Sequence, residues 1–260
     1  MQHGICTLSV IPARREPSGT AEMVTQLLFG EPYRVLEAQD EWLRIKTAFD
    51  HYECWISRKQ HTRITDQTYQ QIQKSNVTLN AGMVNELKEL NSGAAFPVTM
   101  GCILPAFNHG EARIESATYR FNGETTDMSV KKGPAQIVAT AKQLLNAPYL
   151  WGGKTPFGID CSGFTQLVYR INGYSLPRDS NQQVEHGTAL SFVEEAETGD
   201  LAFFDNADGK IVHVGILLNH REIIHSSGFV KIEKFDHYGI YNAGNKGYSH
   251  TLRVIKRLIT

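Results

Sequence analysis

A cysteine at the start of a predicted helix is the first feature of this chain that suggests chemistry. Cys161 follows Asp160, a residue type that commonly caps the N-terminus of a helix. Apolar side chains then recur at helical spacing until Asn172-Gly173 provides a stop. The helix dipole favours negative charge at this end, so we expect the pKa of the thiol to fall from about 8.5 to roughly 3.5–7.5. Cys161 is therefore a candidate nucleophile.

Two later segments each place a histidine on a predicted strand. His213 lies in the apolar run Ile211–Leu218, and His225 follows in Glu222–Gly228. A lone cysteine is more often a buried thiol, and a lone histidine on an apolar strand is more often a core residue. Here a thiol, a candidate base and a candidate polar orienting group follow one another along the chain, and this combination instead favours nucleophilic catalysis. If the register of the second strand slips by one residue, Ser226 or Ser227 takes the place of His225.

Composition excludes several other classes of protein. The chain has 260 residues with a net charge of −1, so nothing basic marks a nucleic-acid or anionic-membrane partner. The longest apolar run is too short to span a bilayer, and the N-terminus shows no signal-peptide pattern. The four cysteines are far apart and none has zinc-ligand spacing, so we expect no metal, no cofactor and a reducing, cytoplasmic location. A signal segment upstream would instead place the protein outside the cell.

The first part of the chain, residues 1–66, is predicted to be a small β-barrel. Short alternating runs are separated by turn residues. The predicted strands are Gly4–Val10, Met23–Leu28, Tyr33–Leu36, Trp42–Lys46 and Tyr52–Ile56. The motifs Leu28-Phe29-Gly30-Glu31, Glu41-Trp42-Leu43-Arg44-Ile45 and Tyr52-Glu53-Cys54-Trp55-Ile56 resemble a bacterial SH3-like domain.

Residues 67–125 are less regular but too apolar to be disordered. Thr68–Lys74 fits a helix or a linker, and strands are predicted at Val84–Leu90, Phe96–Ile103 and Ala112–Phe121. We interpret this part as a second, degenerate SH3-like barrel, with an irregular linker as the alternative.

The last part, residues 133–260, is predicted to be an α+β domain. A helix at Pro134–Leu145 precedes the helix of Cys161, and Asp179 or Ser180 is placed to cap a short helix that runs to His186. Antiparallel strands follow at Leu201–Phe204, Val212–Leu218, Glu222–Ser226 and His250–Ile255. The predicted fold class is therefore α+β. A helix that bears the cysteine packs on an antiparallel sheet, and two small barrels precede this domain in the sequence.

The motifs of this last part resemble those of the NlpC-type, papain-like cysteine peptidases. The resemblance rests on Tyr149-x-Trp151-Gly152-Gly153, Asp160-Cys161-Ser162-Gly163-Phe164, Gly199-Asp200-Leu201, His213-Val214-Gly215-Ile216 and His225. It implies that Cys161 is the nucleophile, His213 the general base and His225 the orienting residue. It also places the hydroxyl of Tyr149 beside the thiol, as an oxyanion donor or as a core tyrosine.

Together with the SH3-like start, the chain resembles the γ-D-glutamyl-L-diamino-acid endopeptidases, or dipeptidyl-peptidases VI. This resemblance implies that a free L-Ala ammonium is held by acidic and polar groups, with the first barrel closing one end of the groove. The positions assigned to the substrate are Glu31, Tyr52, Trp151, Asp160, Ser162, Asp179 and Ser180. Four of them also have a structural explanation: Asp160 and Ser180 as helix caps, Glu31 as a turn residue and Trp151 as a core aromatic.

The expected function is therefore hydrolysis of the γ-D-glutamyl–diamino-acid bond of murein peptides, releasing L-Ala-D-Glu during recycling. We expect a monomer whose partner is this peptide, without nucleic acid or membrane. The alternatives are a wall-peptide binding protein without activity, and a secreted hydrolase, amidase or acyltransferase of the same fold. Intact Cys161, His213 and His225 argue against the inactive alternative.

Overall fold

The computed structural model describes residues 2–244 and 246–259. The chain divides into two compact units, the first ending at Val130 and the second beginning at Lys131. Among the described residues, the helices are all too short or too polar to cross a membrane.

The first unit begins with a seven-stranded antiparallel sheet in the order β3-β2-β6-β5-β4-β1-β7. Its strands are β1 (Gln2–Ile5), β2 (Val10–Arg14), β3 (Met23–Leu28), β4 (Pro32–Gln39), β5 (Trp42–Thr47), β6 (Glu53–Ser57) and β7 (Thr62–Ile64). Burial alternates along β5, as expected of a strand with one face on a core. The predicted strand Gly4–Val10 is instead the end of β1 and the start of β2, and β7 was not predicted.

The rest of the first unit contains one helix and two smaller antiparallel sheets. Its elements are α1 (Asp66–Lys74), β8 (Thr78–Asn80), β9 (Val84–Glu89), β10 (Ala95–Thr99), β11 (Glu111–Ile114), β12 (Ala117–Phe121) and β13 (Thr125–Asp127). The predicted strand Ala112–Phe121 is a hairpin, because the chain turns at Glu115, where φ is +51°. Tyr119 packs edge-on against Phe29 of the preceding sheet, with ring centroids 5.1 Å apart. Residues 67–125 therefore share a hydrophobic core with the first sheet.

The second unit contains three helices beside a seven-stranded antiparallel sheet. The helices are α2 (Pro134–Gln143), α3 (Cys161–Ile171) and α4 (Ser180–Gln183), and a small hairpin pairs β14 (Lys154–Thr155) with β15 (Gly158–Ile159). The large sheet consists of β16 (Thr188–Ala189), β17 (Leu201–Asp205), β18 (Ile211–Asn219), β19 (Glu222–Ser227), β20 (Phe229–Asp236), β21 (Gly239–Asn242) and β22 (Gly247–Arg257). Strand β21 also pairs with β22, so strands β17–β22 close on themselves.

Helix α3 is buried along its whole length. The spacing of apolar residues predicts one buried stripe, but all of its residues from Cys161 to Ile171 are buried. Its polar side chains therefore need internal partners, and Thr165 donates from Oγ1 to Gln183 Oε1 at 2.7 Å. A helix enclosed in this way holds its first residue, Cys161, rigidly inside the fold.

Candidate active site

The start of α3 fixes the position of Cys161. Asp160 caps the helix by accepting a hydrogen bond from the Gly163 amide to Oδ1 at 2.7 Å, as predicted. A side chain at Gly163 would place its Cβ 2.3 Å from the carbonyl oxygen of Gly153, so the glycine-rich loop needs a glycine here to approach the helix. The loop and the helix together present the thiol at a defined point.

The sulfur of Cys161 lies beside strand β18, at Val214, which is the residue that follows His213 in the chain. It accepts a hydrogen bond from the backbone amide of Val214, and the pairing of β18 with β19 begins only at Ile216. The thiol and the strand that carries the predicted base are therefore in contact, as the sequence predicts.

The pKa of the Cys161 thiol is raised to about 12, opposite to the expected direction. Burial is the largest cause, since it disfavours the thiolate, and the carboxylate of Asp160 adds to it. Hydrogen bonds from the Val214 and Ser162 amides and the charge of Arg178 act in the other direction but are weaker. In the resting protein the thiol is protonated, and it needs a base to become a nucleophile.

His213 is the candidate general base of this site. Its ring is buried, and its Nε2 lies 2.8 Å from Nδ1 of His225. Burial and the neighbouring His225 and His250 keep the pKa of His213 well below its usual value, so the ring is neutral at pH 7. Among the described residues no group forms a hydrogen bond with its Nδ1, so this nitrogen is available to accept a proton from the thiol. A neutral imidazole in this state can accept the proton of Cys161.

His225 is the candidate orienting residue, because its ring, in the predicted register, lies against that of His213. It is fully buried, and its second nitrogen, Nε2, lies 2.9 Å from Oε2 of Glu233. The alternative through Ser226 does not occur, because Ser226 Oγ donates to the carbonyl of Ile159 at 2.7 Å. That bond ties β19 to the residue just before Asp160.

Two further residues of this cluster were missed by sequence reasoning. Glu233 bonds His225 and Lys231, and the ring of His250 stacks on that of His213 with centroids 4.1 Å apart. The turn at Ser227-Gly228 followed by alternating residues would have predicted a hairpin and paired His225 with Lys231. No comparable local signal points to His250, which arrives from β22 through long-range pairing.

Asp160 also forms a buried ion pair with Arg178, a residue that the sequence pattern does not single out. Arg178 donates to both carboxylate oxygens, and its Nη1 donates to Ser162 Oγ at 2.9 Å. The amide of Gly152 donates to Oδ2 at 2.8 Å. The four lone-pair positions of the carboxylate are thus used within the protein. The assignment of Asp160 and Ser162 to substrate stays a prediction.

Tyr149 and Trp151 lie in the loop before Cys161. Burial, followed by the charges of Cys161 and Asp160, raises the pKa of the Tyr149 hydroxyl, and its role as an oxyanion donor stays a prediction. Its backbone amide bonds the carbonyl of Gly228 at 2.9 Å. Trp151 is 59% exposed, which excludes the alternative of a core aromatic, and its contact with substrate stays a prediction.

The other predicted substrate residues occupy two different places. Asp179 is the N-cap residue of α4 but its side chain makes no capping hydrogen bond, and Ser180 begins that helix, which ends at Gln183 rather than His186. In the first unit, Glu31 is buried and its Oε2 accepts the Leu28 amide at 3.0 Å, while Tyr52 is half-buried. Their contacts with substrate stay predictions.

The chain matches two families of known domains. Residues 146–246 match the NlpC/P60 family, and residues 13–60 match the bacterial dipeptidyl-peptidase SH3 domain. The second match falls within the part predicted to be an SH3-like barrel.

Two relatives align over most of the chain. The gamma-D-glutamyl-L-lysine dipeptidyl-peptidase of Bacillus subtilis (strain 168) is 29% identical over 238 residues, covering 86% of this chain and 74% of that protein. Dipeptidyl-peptidase 6 of Lysinibacillus sphaericus is 27% identical over 247 residues, covering 82% of this chain and 83% of that protein.

A solved structure shares the fold along the whole chain. The crystal structure of an NlpC/P60 family protein from Bacillus cereus ATCC 10987 superposes with a TM-score of 0.84. The two sequences are 19% identical, and the alignment covers 99% of this chain and 100% of the other. Together with the two family matches, this likeness confirms the predicted α+β domain of NlpC type and, before it in the sequence, a small SH3-like barrel, whereas the second barrel predicted for residues 67–125 stays a prediction.

Proposed function

The chain is a cysteine peptidase of the NlpC/P60 family that also carries a bacterial dipeptidyl-peptidase SH3 domain, and we propose that it hydrolyses the γ-D-glutamyl–diamino-acid bond of murein peptides. The observation that carries this proposal is the Cys161–His213–His225 site in a chain with both domains. Two relatives with names of this activity align over more than four-fifths of the chain, which supports the substrate class.

The geometry provides each step of acyl transfer. His213 takes the proton of Cys161 at Nδ1 while the sulfur attacks the γ-carbonyl carbon of D-glutamate. The backbone amide of Cys161, at the start of α3, and the hydroxyl of Tyr149 are the donors that we assign to the oxyanion. His213 then gives its proton to the leaving amine of the diamino acid. Water, deprotonated by His213, hydrolyses the thioester and releases L-Ala-D-Glu.

We assign recognition of the free amine of L-Ala to Asp179. An ammonium held away from water needs a carboxylate to offset the loss of hydration. Asp179 and Ser180 start α4, which packs against β18, the strand that carries His213. Asp179→Asn is expected to raise KM for free-amine peptides at least about tenfold, the loss of one charge-assisted contact, with little effect on alkylation of Cys161. Asp208→Asn, in an exposed turn of the same unit, is the control.

One assay tests the activity directly. Purified protein is incubated with L-Ala-γ-D-Glu-diaminopimelate, its L-Lys counterpart and the N-acetylated form of each, and the products are identified by mass. We expect cleavage of the free-amine peptides only, release of L-Ala-D-Glu, and no cleavage by Cys161→Ala. Equal cleavage of the acetylated forms would contradict the free-amine requirement. Intact peptides after incubation with a protein whose Cys161 still reacts with iodoacetamide would contradict the substrate class.

The residues assigned to substrate in the SH3-like barrel can be tested in the same assay. Tyr52→Phe removes one hydroxyl from a half-buried side chain, whereas Glu31→Gln changes a buried group that bonds the Leu28 amide. We therefore expect Tyr52→Phe to raise KM without loss of thermal stability. An unchanged KM would remove Tyr52 from the proposal.

We further propose that the enzyme works in a reducing compartment on recycled peptides. All four cysteines, Cys6, Cys54, Cys102 and Cys161, are buried and none forms a disulfide bond, which supports this location. Fractionation of the native organism, followed by immunoblotting, tests it, and recovery of the protein with the wall fraction would contradict it.

A further inference from the structure

A chain of hydrogen bonds extends the catalytic site beyond its three expected members. His213 Nε2 lies 2.8 Å from His225 Nδ1, and His225 Nε2 lies 2.9 Å from Glu233 Oε2. The side chain of Glu233 is only 14% exposed, and it also receives Lys231 Nζ at 3.1 Å. We propose that Glu233 is a positioning residue that sets the tautomer of the general base His213 through His225.

The argument follows the hydrogen atoms along this chain. An ionised carboxylate only accepts hydrogen bonds, so His225 must carry its hydrogen on Nε2. Nδ1 of neutral His225 is then an acceptor, and His213 must carry its hydrogen on Nε2. Nδ1 of neutral His213 is then unprotonated and is able to receive the proton of Cys161.

The charge states of the three groups agree with this argument. The hydrogen bond from His225 is the main cause that lowers the pKa of Glu233, which keeps it ionised at neutral pH. Burial lowers the pKa of both His213 and His225, and for His225 this outweighs the opposing effect of Glu233. Each ring therefore carries one hydrogen, and Glu233 determines where both are.

Without the carboxylate the opposite arrangement becomes available. His225 could then hold its hydrogen on Nδ1 and donate it to His213 Nε2, which would leave the hydrogen of His213 on Nδ1. In that tautomer His213 cannot take a proton from the thiol. The other close neighbour, His250, does not select a tautomer, since it contacts the face of the His213 ring and its own Nδ1 bonds Ser249 Oγ at 2.9 Å.

Glu233→Gln tests the proposal, because an amide is both a donor and an acceptor and so no longer selects one tautomer. We expect kcat to fall about 10- to 100-fold, within the range of general-base effects, with KM unchanged within about twofold. Glu222→Gln is the matched control, a carboxylate on the strand of His225 that bonds Asn219 instead. It is expected to leave kcat unchanged. An unchanged kcat in a folded Glu233→Gln protein would overturn the proposal.

Nitrogen NMR of histidine-labelled protein provides a readout that needs no substrate. The wild-type enzyme is expected to show His213 with hydrogen on Nε2 and none on Nδ1, and Glu233→Gln is expected to show a mixture. Signals of His213 are assigned by their loss in His213→Gln. A wild-type ring with hydrogen on Nδ1 would overturn the proposal even if Glu233→Gln does not fold. Because this experiment measures the resting enzyme, failure of the proposed substrate would not affect its outcome.

Discussion

Arg178 holds Asp160 through both of its terminal nitrogens, with Nη1 3.0 Å from Oδ1 and Nη2 2.6 Å from Oδ2. Both side chains are buried, and the same carboxylate caps α3 and bonds the amide of Gly152. One ion pair therefore joins the glycine-rich loop, the first turn of α3 and the segment that precedes α4. The residues that surround the thiol are positioned by it, although neither Asp160 nor Arg178 bonds the sulfur.

Replacing Arg178 is expected to destabilise the protein and displace the thiol. Arg178→Lys loses the bidentate geometry and leaves part of a buried carboxylate unsatisfied. Complete removal of one partner of a buried pair costs about 3–5 kcal/mol, and we expect a smaller loss of stability for this variant. We expect a lower midpoint of urea unfolding and a kcat at least about tenfold lower, the size of effect that misplacement of reacting groups produces.

The matched control for this change is Arg257→Lys. Arg257 also bonds both oxygens of an aspartate, Asp200, at 3.0 and 2.8 Å, but that pair has no part in the loop around Cys161. We expect it to lower stability with little effect on kcat. If both variants lower kcat equally, the specific role of the Asp160–Arg178 pair is wrong.

The reactivity of Cys161 should depend steeply on pH. Its pKa of about 12 means that the thiol stays protonated at neutral pH, so the thiolate fraction rises about tenfold for each pH unit until the pKa is approached. We expect the rate of iodoacetamide alkylation of Cys161, followed by peptide mass mapping, to increase continuously from pH 6 to pH 10. A rate that is constant above pH 5 would instead indicate a preformed thiolate–imidazolium pair.

Protonation of the histidine cluster should destabilise the protein at mildly acid pH. Burial lowers the pKa of His250 from 6.5 to about 4, and the pKa values of His213 and His225 are also lowered. Below about pH 6.5 the unfolded chain binds these protons before the folded protein does, so stability falls as the pH decreases toward 4. Because the pKa of Glu233 is lowered in the folded protein, its contribution to stability is lost only when the pH falls below its ordinary pKa of 4.5, which is a lower pH range than that of the histidines.

Urea unfolding at several pH values between 7.5 and 4.5 measures this effect. His250→Gln removes one of the three groups, and its stability is expected to fall less between pH 6.5 and pH 4.5 than that of the wild type. His220→Gln, an exposed histidine on the turn after β18, should keep the wild-type slope. An identical slope for His250→Gln would contradict a half-buried, neutral His250.

The local parts of this site were predictable from sequence, and the parts that depend on distant pairing were not. The boundaries of α3 follow from Asp160 at its start, the helical spacing of apolar residues and Asn172-Gly173 at its end, and all of these signals lie within or next to the helix itself. His213 and His225 lie on strands that are visible in the sequence as short apolar runs. Glu233 and His250 join them only through the pairing of β20 with β19 and the closure of the sheet by β22.

The direction of the thiol pKa also required the three-dimensional structure. The helix position of Cys161 suggests a lowered value, and that effect is local. The burial of the sulfur is a consequence of how the whole second unit packs, and together with the charge of the adjacent Asp160 it outweighs the effect of the helix. Arg178 was missed for the same reason, because Leu176-Pro177-Arg178 indicates only a break in the chain and not the destination of the side chain.

The contact between the glycine-rich loop and α3 gives a final prediction. Gly163→Ala would place a methyl group 2.3 Å from the Gly153 carbonyl oxygen and 2.9 Å from Asp160 Oδ1, so backbone must move. We expect a loss of about 1–3 kcal/mol in the free energy of unfolding, as for other overpacked sites, and a fall in kcat because Tyr149 moves with the loop. Gly19→Ala is the control, since no atom lies within 4 Å of its added Cβ. Wild-type kcat in Gly163→Ala would show that the close approach of loop and helix is not needed for catalysis.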